Sequence, residues 1–318
     1  MKIQRMPALL LTLLLTLLAG CVAHQPAAPG GAVQSAVAAP EDKPVVVTDM
    51  TGREITLEGP AARIVALTAA DCEILYALGA EDTLVGRGEY CDWPAGVLDV
   101  PVVQSGADTN IEQIIALRPQ VLLMSDMAQT EEQIAALEDA GVHVVVSDAQ
   151  DIAGVYDAIK MLGALLGREK EAQALVDSMK EAFSAIGSQA GANAGKKIYF
   201  EVSPLEWGLW AAGSDTFMDE IAQMLGLTNA FADLSGWGEI SEEQVIARAP
   251  DYIVTISMYA GEGPSPEEEI AARPGWAQIP AVANGAILNL QNNELSRPGP
   301  RLANGAQMLF QFIEDRKP

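Results

Sequence analysis

The side chains best suited to contact a ligand are tryptophans that lie outside the periodic segments of the sequence. Trp93 stands in GEYCDWPAG, Trp207 and Trp210 in SPLEWGLWAAGS, and Trp237 in LSGWGEIS, each near Gly or Pro. Loops held by a rigid scaffold often carry contact residues, and an aromatic ring offers a large apolar face. These four residues predict an aromatic cleft between two lobes, and the alternative for any one of them is that it merely plugs the end of a lobe. Plugging is the favoured interpretation of Trp276 in RPGWAQIP.

Two charged patterns indicate other contacts. Arg297 lies in the stiff turn SRPGPR, and a rigidly held guanidinium can donate paired hydrogen bonds to an anionic or amide-bearing ligand. The alternative is a helix-start turn whose arginines pair with the acidic surface. Glu112 and Glu243 occupy equivalent positions near two predicted helix starts, where the helix dipole alone favours a carboxylate. As a matched pair they predict a surface for a partner of two-fold symmetry that docks through arginines.

An internal repeat underlies that pairing. NIEQIIALRP, residues 110–119, aligns with SEEQVIARAP, residues 241–250, at a constant offset of 131 residues, and an apolar segment follows each copy. Each copy begins with a capping residue and has Gln three positions later, an arrangement that satisfies free amides of the first helical turn. Chance similarity between two helix starts is the alternative. The coincidence of several residues in place favours two similar α/β units.

Apolar periodicity predicts strands that alternate with helices. The predicted strands are Val45–Thr48, Glu54–Leu57, Arg63–Leu67, Val121–Met124, Val142–Val146, Lys197–Val202, Tyr252–Ile256 and Ala286–Leu290. The predicted helices are Asp71–Leu78, Ile111–Leu117, Thr130–Ala140, Thr216–Leu225, one that begins at Glu242, and Leu302–Glu314. Helical spacing continues from Ile152 to Ile186 as one long helix or two in series. This order predicts an α/β protein with two Rossmann-like lobes of mainly parallel sheet, joined by a long backbone α-helix.

The N-terminal segment predicts export and lipid attachment. Lys2 and Arg5 precede an apolar run, residues 8–18, that is short for a membrane span and ends in LAGC at Cys21. This layout resembles a lipobox, whose cysteine thiol receives diacylglycerol; a plain signal peptide with a chance cysteine is the alternative. The predicted division is a lipoprotein signal peptide over 1–20, lipidated Cys21 with a flexible tether over 21–43, an N-terminal lobe over 44–150, an interlobe helix over 151–187 and a C-terminal lobe over 188–318.

Composition excludes several classes of function. Loss of the leader takes two of the 19 basic residues, and the remaining 17 against 43 acidic residues disfavour nucleic acid and anionic lipid surfaces as partners. The two histidines, His24 and His143, are too few for a zinc cluster, and no HExxH, GxSxG or P-loop pattern is present. We therefore expect no resident metal, no cofactor and no catalysis, with an extracytoplasmic enzyme as a remote alternative. For Cys72 and Cys91, two buried free thiols are favoured over a disulfide, although export permits one.

Several segments together resemble the substrate-binding proteins of ABC importers for iron chelates and vitamin B12. They run from Val47 to Ile313 and are VTDMTGREITL, ARIVALTAADCEILYALGAEDTLVG, NIEQIIALRPQVLL, GWGEISEEQVIARAPDYIV, RPGWAQIPAVANGAI and SRPGPRLANG. The resemblance implies two lobes joined by a backbone helix. It also implies an extracytoplasmic, lipid-anchored monomer that captures a small metal chelate and delivers it to a permease with its cytoplasmic ATPase.

Within that family the chain is most similar to vitamin B12-binding proteins. The resemblance matches Tyr90 to a cleft tyrosine, Trp210 and Trp237 to cleft aromatic residues, and Arg297 to the cleft rim. It matches Glu112 and Glu243 to two glutamates that meet arginines of the permease.

Two positions depart from the vitamin B12 binders: Gly106 stands in place of a stacking tryptophan and Asn293 in place of an aspartate. We expect a corrinoid ligand. A ferric siderophore is the alternative, as is haem with Tyr90 or Tyr259 as the iron ligand.

Overall fold

Strands and helices alternate through two α/β lobes. The computed structural model describes residues 43–106, 109–125, 130–190, 193–291 and 293–316. In the N-lobe, residues 43–146, the strands are β1 Val45–Thr48, β2 Glu54–Leu57, β3 Ile64–Ala66, β4 Leu84–Arg87, β5 Val121–Met124 and β6 His143–Val146, and the helices are α1 Ala69–Ala77, α2 Ile111–Ala116 and α3 Glu131–Asp139. The strand order is β4-β3-β5-β6 with all pairings parallel, and β1 and β2 form an antiparallel hairpin.

The C-lobe, residues 197–290, repeats this plan and adds to it. Its strands are β7 Lys197–Ser203, β8 Trp210–Ala212, β9 Thr228–Asn229, β10 Trp237–Glu239, β11 Tyr252–Thr255 and β12 Ile287–Asn289, and its helices are α6 Phe217–Met224, α7 Glu242–Arg248, α8 Pro266–Ala272 and α9 Pro280–Ala283. Strands β7, β11 and β12 are parallel, whereas β8 and β10 extend the sheet in antiparallel fashion. The parallel α/β architecture expected from the sequence is therefore confirmed.

The connection between the lobes consists of two helices in series, α4 Ile152–Leu166 and α5 Glu169–Gln189, so a single long helix is wrong. Gly167 has a left-handed backbone with φ of 64° and ends α4, while the Arg168 amide donates to the carbonyl of Gly163 at 2.7 Å. A Cβ atom on Gly163 would collide with the Cβ of Ala172, so the two helices pack closely beside their junction. The final helix, α10 Leu302–Glu314, packs on α5.

The predicted repeat is present in the fold. Helices α2 and α7 both begin after an N-cap side chain, Asn110 or Ser241, that accepts a hydrogen bond from the amide three positions on. Each copy ends in a left-handed non-glycine residue directly before proline, with φ of 49° at Arg118 and 47° at Ala249. A proline disfavours helical backbone in the residue before it, which accounts for the shared stop. Strands β5 and β11 follow at the same offset.

Buried apolar side chains connect the lobes. One cluster runs from Ile64 and Leu75 in the N-lobe through Leu162 in α4 to Phe200 in the C-lobe and Leu309 in α10. Apolar burial is the main favourable contribution to folding, so this shared core holds the lobes and both connecting helices together.

The predicted signal peptide, Cys21 and the tether up to residue 42 lie outside the described residues. In the ranges that the structure describes, no helix is both long and apolar enough to cross a bilayer. The domain limits given above stay predictions.

Candidate functional site

A cavity of about 560 Å³ opens in the C-lobe where the parallel strands β7 and β11 end. Ligands of α/β proteins bind at the carboxyl ends of parallel strands, because loops diverge there. The cavity is lined by Val202, Ser203, Pro204, Leu205, Glu206, Trp207, Ile256, Ser257, Met258, Tyr259, Pro264, Pro266 and Glu269. Among these, the sequence prediction had included Trp207 as a ligand-binding residue and Tyr259 as an iron ligand in the haem alternative.

The lining residues at the strand ends share a signal that the sequence does contain. Ser257, Met258 and Tyr259 come directly after the buried strand β11, and Ser203 ends β7. Residues at this position along a parallel strand are the ones that face a ligand. Glu269 carries no comparable signal, because it reaches the cavity from α8, an element that the periodicity did not predict.

Four predicted aromatic side chains are exposed, as a contact role requires. The exposed fraction is 58% for Tyr90, 49% for Trp93, 73% for Trp207 and 40% for Trp210. Tyr90 follows β4, whose carboxyl end lies at the same edge of the N-lobe sheet as those of the parallel strands β3 and β5. This exposure leaves apolar ring surface accessible to a ligand.

Trp210 and Trp237 lie on neighbouring strands, so the prediction that they occupy irregular segments is wrong. Glu239 pairs with Trp210 and Trp237 pairs with Ala212, which places both tryptophans on one face of the sheet. The Trp237 indole donates to Oε1 of Gln150 at 2.6 Å and packs on Phe217 with ring centroids 5.4 Å apart. The strands escaped prediction because each has only three residues and its pairing is not local.

Trp93 lies in a different place from Trp207. Its ring stacks on the Arg301 guanidinium at 4.8 Å and borders a cavity of about 290 Å³ between α1 and the turn before α10. No described residue lines both this cavity and the C-lobe cavity. The structure thus does not gather all predicted aromatic residues around one pocket.

Arg297 belongs to an ion-pair network that joins α1 to the turn before α10. Its guanidinium contacts Glu73 at 3.3 Å and Asp92 at 2.6 Å, and its side chain is only 7% exposed. Arg301 donates to both oxygens of Glu73, at 3.0 and 2.6 Å, and to Glu294 at 2.8 Å. These contacts match the alternative interpretation of SRPGPR, in which its arginines pair with carboxylates of the protein itself.

A second arginine cluster lies behind the C-lobe cavity. Arg273 donates to Oε2 and Oε1 of Glu201, at 2.7 and 3.0 Å, and to Glu269 at 2.6 Å. Burial raises the pKa of Glu201, and the hydrogen bonds from Arg273 act against that rise. The Arg273 guanidinium also lies 4.5 Å over the ring of Trp276, which is fully buried and donates to Glu242 at 3.1 Å. The plugging role predicted for Trp276 is confirmed.

Glu112 and Glu243 are exposed in the first turns of α2 and α7, away from both cavities. The hydrogen bond from its own backbone amide and the one from the Ser241 hydroxyl lower the pKa of Glu243, so it carries its charge at neutral pH. The neighbouring Glu242 is engaged with Trp276. The two exposed carboxylates therefore occupy equivalent, accessible positions in the two copies of the repeat.

Metal ligands and cysteine thiols are the remaining groups that could take part in chemistry. Within the described ranges, no group of three or more His, Cys, Asp or Glu side chains is arranged to hold a metal ion. Cys72 and Cys91 are fully buried with free thiols, which is the arrangement that the sequence favoured.

Comparison with known proteins places this geometry in a family. The profile described as periplasmic binding protein matches residues 64–294. Over 276 residues the chain is 33% identical to the uncharacterized ABC transporter substrate-binding lipoprotein YvrC of Bacillus subtilis (strain 168), with 85% of each chain covered. Over 252 residues it is 27% identical to the vitamin B12-binding protein of Salmonella typhi, which covers 78% of this chain and 89% of the relative.

A solved structure agrees with these relatives. The crystal structure of a possible iron-binding (periplasmic solute-binding) protein from Staphylococcus epidermidis ATCC 12228 matches with a TM-score of 0.66 and 33% identity, and covers 80% of this chain and 98% of that one. The family match spans most of the chain and both lobes. The chain therefore belongs to the periplasmic binding protein family, whose members here are the extracytoplasmic, substrate-binding components of ABC importers.

Proposed function

We propose that this protein captures a corrinoid, a vitamin B12-like metal chelate, and delivers it to the permease of an ABC importer. The observation that carries the proposal is the combination of exposed aromatic rings at the strand ends with arginines that carboxylates already neutralise. A corrinoid is large, flat and nearly neutral, so it needs apolar faces more than cationic contacts.

The charges around the strand ends support a ligand without several negative charges. Arg297 and Arg301 meet three carboxylates, those of Glu73, Asp92 and Glu294. Arg273 meets two, those of Glu201 and Glu269. Each cluster thus has one more carboxylate than arginine, which makes it unfavourable for a polyanionic catecholate complex.

Arg87 is also engaged within the protein. Its guanidinium donates to the backbone carbonyls of Val100, Gly88 and Cys91, at 3.2, 3.3 and 2.9 Å, and the residue is buried. A guanidinium held in this way has few donors left for a ligand anion. Arg87, Arg297 and Arg301 are therefore all committed to partners within the protein.

The polar groups of the C-lobe cavity fit the periphery of a corrinoid. Ser203, Ser257 and Glu269 line the cavity beside Trp207. The amide side chains of a corrin ring donate and accept hydrogen bonds, and a few polar groups among apolar ones orient such a ligand. A carboxylate such as Glu269 would attract amide N–H groups and repel the propionates of haem.

A ferric chelate or haem is the second candidate, and one feature favours it. Tyr259 lines the C-lobe cavity, and a phenol oxygen is a known ligand for haem iron. The Tyr259 hydroxyl here donates to the carbonyl of Gly263 at 2.9 Å, a bond that iron ligation would replace.

Calorimetric titration of the purified mature protein tests the ligand. Cyanocobalamin, a ferric hydroxamate, a ferric catecholate and haemin are added in parallel, with tryptophan fluorescence as a second readout. We expect saturation by cyanocobalamin at one equivalent with quenched fluorescence, and no binding of the ferric catecholate. Saturation by haemin or a ferric chelate without any response to cyanocobalamin would overturn the corrinoid in favour of the second candidate.

Delivery requires that the protein is held at the membrane and that it docks on the permease. We infer that Cys21 carries a lipid, since LAGC precedes the tether and the relative YvrC is named a lipoprotein. Glu112 and Glu243 then face the permease, and the protein works as a monomer without a cofactor. Labelled fatty acid should enter the native protein and not Cys21→Ser. Stoichiometric binding without turnover of the bound compound is expected; turnover would identify an enzyme instead.

A further inference from the structure

Two cysteine side chains meet beneath the loop that follows β4. Cys72 belongs to α1, Cys91 belongs to the loop, and both residues are fully buried. Each Sγ atom lies 3.8 Å from the same acceptor, the carbonyl oxygen of Ala66, so one carbonyl holds both thiols. Two buried sulfurs that share one acceptor oxygen are candidates for a disulfide.

The chain neighbours of this pair are functional candidates. Glu73 follows Cys72, Asp92 follows Cys91, and both carboxylates contact Arg297. Tyr90 and Trp93 flank the second cysteine and expose their rings. The segment Tyr90–Trp93 is thus held to α1 through the sulfur pair on one side and through Arg297 on the other.

Cys72 and Cys91 are free thiols in the structure. We propose that they form a disulfide when the chain folds outside the cytoplasm, and that this bond fixes the segment Tyr90–Trp93 against α1. The extracytoplasmic location of the family supplies the setting, because disulfides persist in oxidising compartments. The bond makes the contacts of Asp92 with Arg297 and of Trp93 with Arg301 independent of whether ligand is bound.

The reaction is an exchange with a disulfide-bearing oxidant, either a thiol–disulfide oxidoreductase or a small-molecule disulfide. One cysteine thiolate attacks an oxidant sulfur and forms a mixed disulfide. The second cysteine thiolate then attacks the first cysteine sulfur and displaces the oxidant sulfur. The oxidant S–S bond breaks, the Cys72–Cys91 bond forms, and the oxidant leaves as two thiols. Two electrons pass from the cysteines to the oxidant, and the two cysteine protons end on the departing sulfurs.

Burial determines when the exchange occurs. The hydrogen bond with Cys91 and desolvation raise the pKa of the Cys72 thiol well above its ordinary value, so the folded chain holds little of the reactive thiolate. Exchange therefore precedes closure of the N-lobe core. Once formed, the bond is shielded from reductants by the same burial.

Peptide mapping of the exported protein tests the bond. The protein is unfolded in guanidinium with iodoacetamide and digested with trypsin, which cleaves after Arg87 and separates the two cysteines. We expect one linked pair of peptides and no alkylation of Cys72 or Cys91, with alkylation of both after reduction. Alkylation of both without reduction would overturn the proposal.

Two controls separate the bond from a structural effect of the cysteines. In Cys72→Ala, Cys91 should be alkylated without reduction; protection of Cys91 there would show burial or another partner, and not this bond. Reduction should lower the midpoint of thermal unfolding of the native protein and speed hydrogen exchange over residues 88–94, and leave the double variant Cys72→Ala/Cys91→Ala unchanged. Equal shifts in both proteins would overturn the fixing role, and mapping of the native protein remains decisive if a variant fails to fold.

Discussion

The N-lobe and the C-lobe share a backbone plan but differ in the source of the partners for their buried carboxylates. In the C-lobe, Glu201 on β7 pairs with Arg273 from the same lobe. In the N-lobe, Glu73 on α1 pairs with Arg297 and Arg301, which lie beyond the C-lobe in the turn before α10. The first ion pair stabilises one lobe, whereas the second fastens the end of the chain to the other lobe.

The aromatic residues differ between the lobes in a related way. The C-lobe adds β8 and β10 to the shared plan, and these strands carry Trp210 and Trp237. In the described part of the N-lobe, the exposed rings of Tyr90 and Trp93 come from the loop after β4 instead. The strands and helices that the two lobes share therefore form the scaffold, whereas the exposed aromatic residues lie on segments that differ between the lobes.

Loss of Arg273 should have the largest effect on stability. Arg273→Met leaves the carboxylate of Glu201, which is 1% exposed, without its arginine, and removing one partner of a buried pair costs about 3–5 kcal/mol. Arg297→Met should cost less, about 1–3 kcal/mol, because Glu73 keeps both hydrogen bonds from Arg301. Urea unfolding followed by tryptophan fluorescence gives both values.

A double variant serves as the control for this difference. Glu201→Gln combined with Arg273→Met removes both charges and should recover part of the loss, because no uncompensated charge stays buried. Equal losses for Arg273→Met and Arg297→Met would show that the two clusters do not differ in the way described.

The helix starts of the two lobes offer a pH test. Asp71 in α1 and Asp219 in α6 stand at the same position after a threonine cap. Burial raises the pKa of Asp71 from 3.8 to about 6, although hydrogen bonds from Thr68 and Ser147 oppose the rise. Because the pKa of Asp71 is higher in the folded than in the unfolded protein, the protonated carboxyl group stabilises the fold. This contribution to the free energy of unfolding is fully present below pH 3.8 and is lost as the pH rises through about 6.

Comparing the native protein with the variant Asp71→Asn isolates the pH-dependent loss of stability that comes from Asp71. The free energy of unfolding of the native protein should fall relative to the variant by up to about 3 kcal/mol between acidic and neutral pH, at about 1.4 kcal/mol per pKa unit. Asp157→Asn removes one carboxylate from the exposed face of α4 and is the matched control. A native-minus-variant difference that does not change with pH would contradict the assignment.

Local sequence patterns predicted the strands and helices of the internal repeat well. Val121–Met124 and the start of α7 at Glu242 were predicted with the bounds that the structure has, because an apolar run and a capping residue act through near neighbours. The break at Gly167 was among the predicted alternatives, since a lone glycine in a helical pattern indicates a stop without requiring one.

The site was predicted less completely, because its contacts are distant in sequence. Glu201 and Arg273 are 72 residues apart, and Glu73 and Arg297 are 224 apart. No periodicity connects residues at such separations. The sequence therefore identified Arg297 as rigidly held and did not reveal that Glu73 and Asp92 occupy its donors.

The two tryptophans of the added strands should separate binding from stability. Trp210→Ala should weaken cyanocobalamin binding by about 1–3 kcal/mol and leave urea unfolding nearly unchanged, because the residue is 40% exposed. Trp237→Ala should also lower stability, since its indole bonds to Gln150 and packs on Phe217. Calorimetric titration and urea unfolding on both variants check this; a stability loss confined to Trp210→Ala would reverse the assignment.

The smallest effect on the isolated protein is expected at Glu112 and Glu243, where the lobes are most alike. Both carboxylates are exposed, and neither lines the C-lobe cavity or the cavity beside Trp93. The double variants to Ala and to Arg should therefore bind ligand as the native protein does. Transport in vesicles that contain the permease should fall with the Ala pair and fall further with the Arg pair, because like charges would then face arginines of the partner.

The matched control for these variants lies one residue away in the second copy of the repeat. Glu242→Ala removes a carboxylate from the same helix turn, but this carboxylate accepts the Trp276 indole and is not available for docking. It should lower stability and leave transport by the folded protein intact. Single variants should each reduce transport, since each would remove one half of the proposed two-fold contact. Full transport by the double Arg variant would show that Glu112 and Glu243 serve only to stabilise the starts of α2 and α7 through the helix dipole.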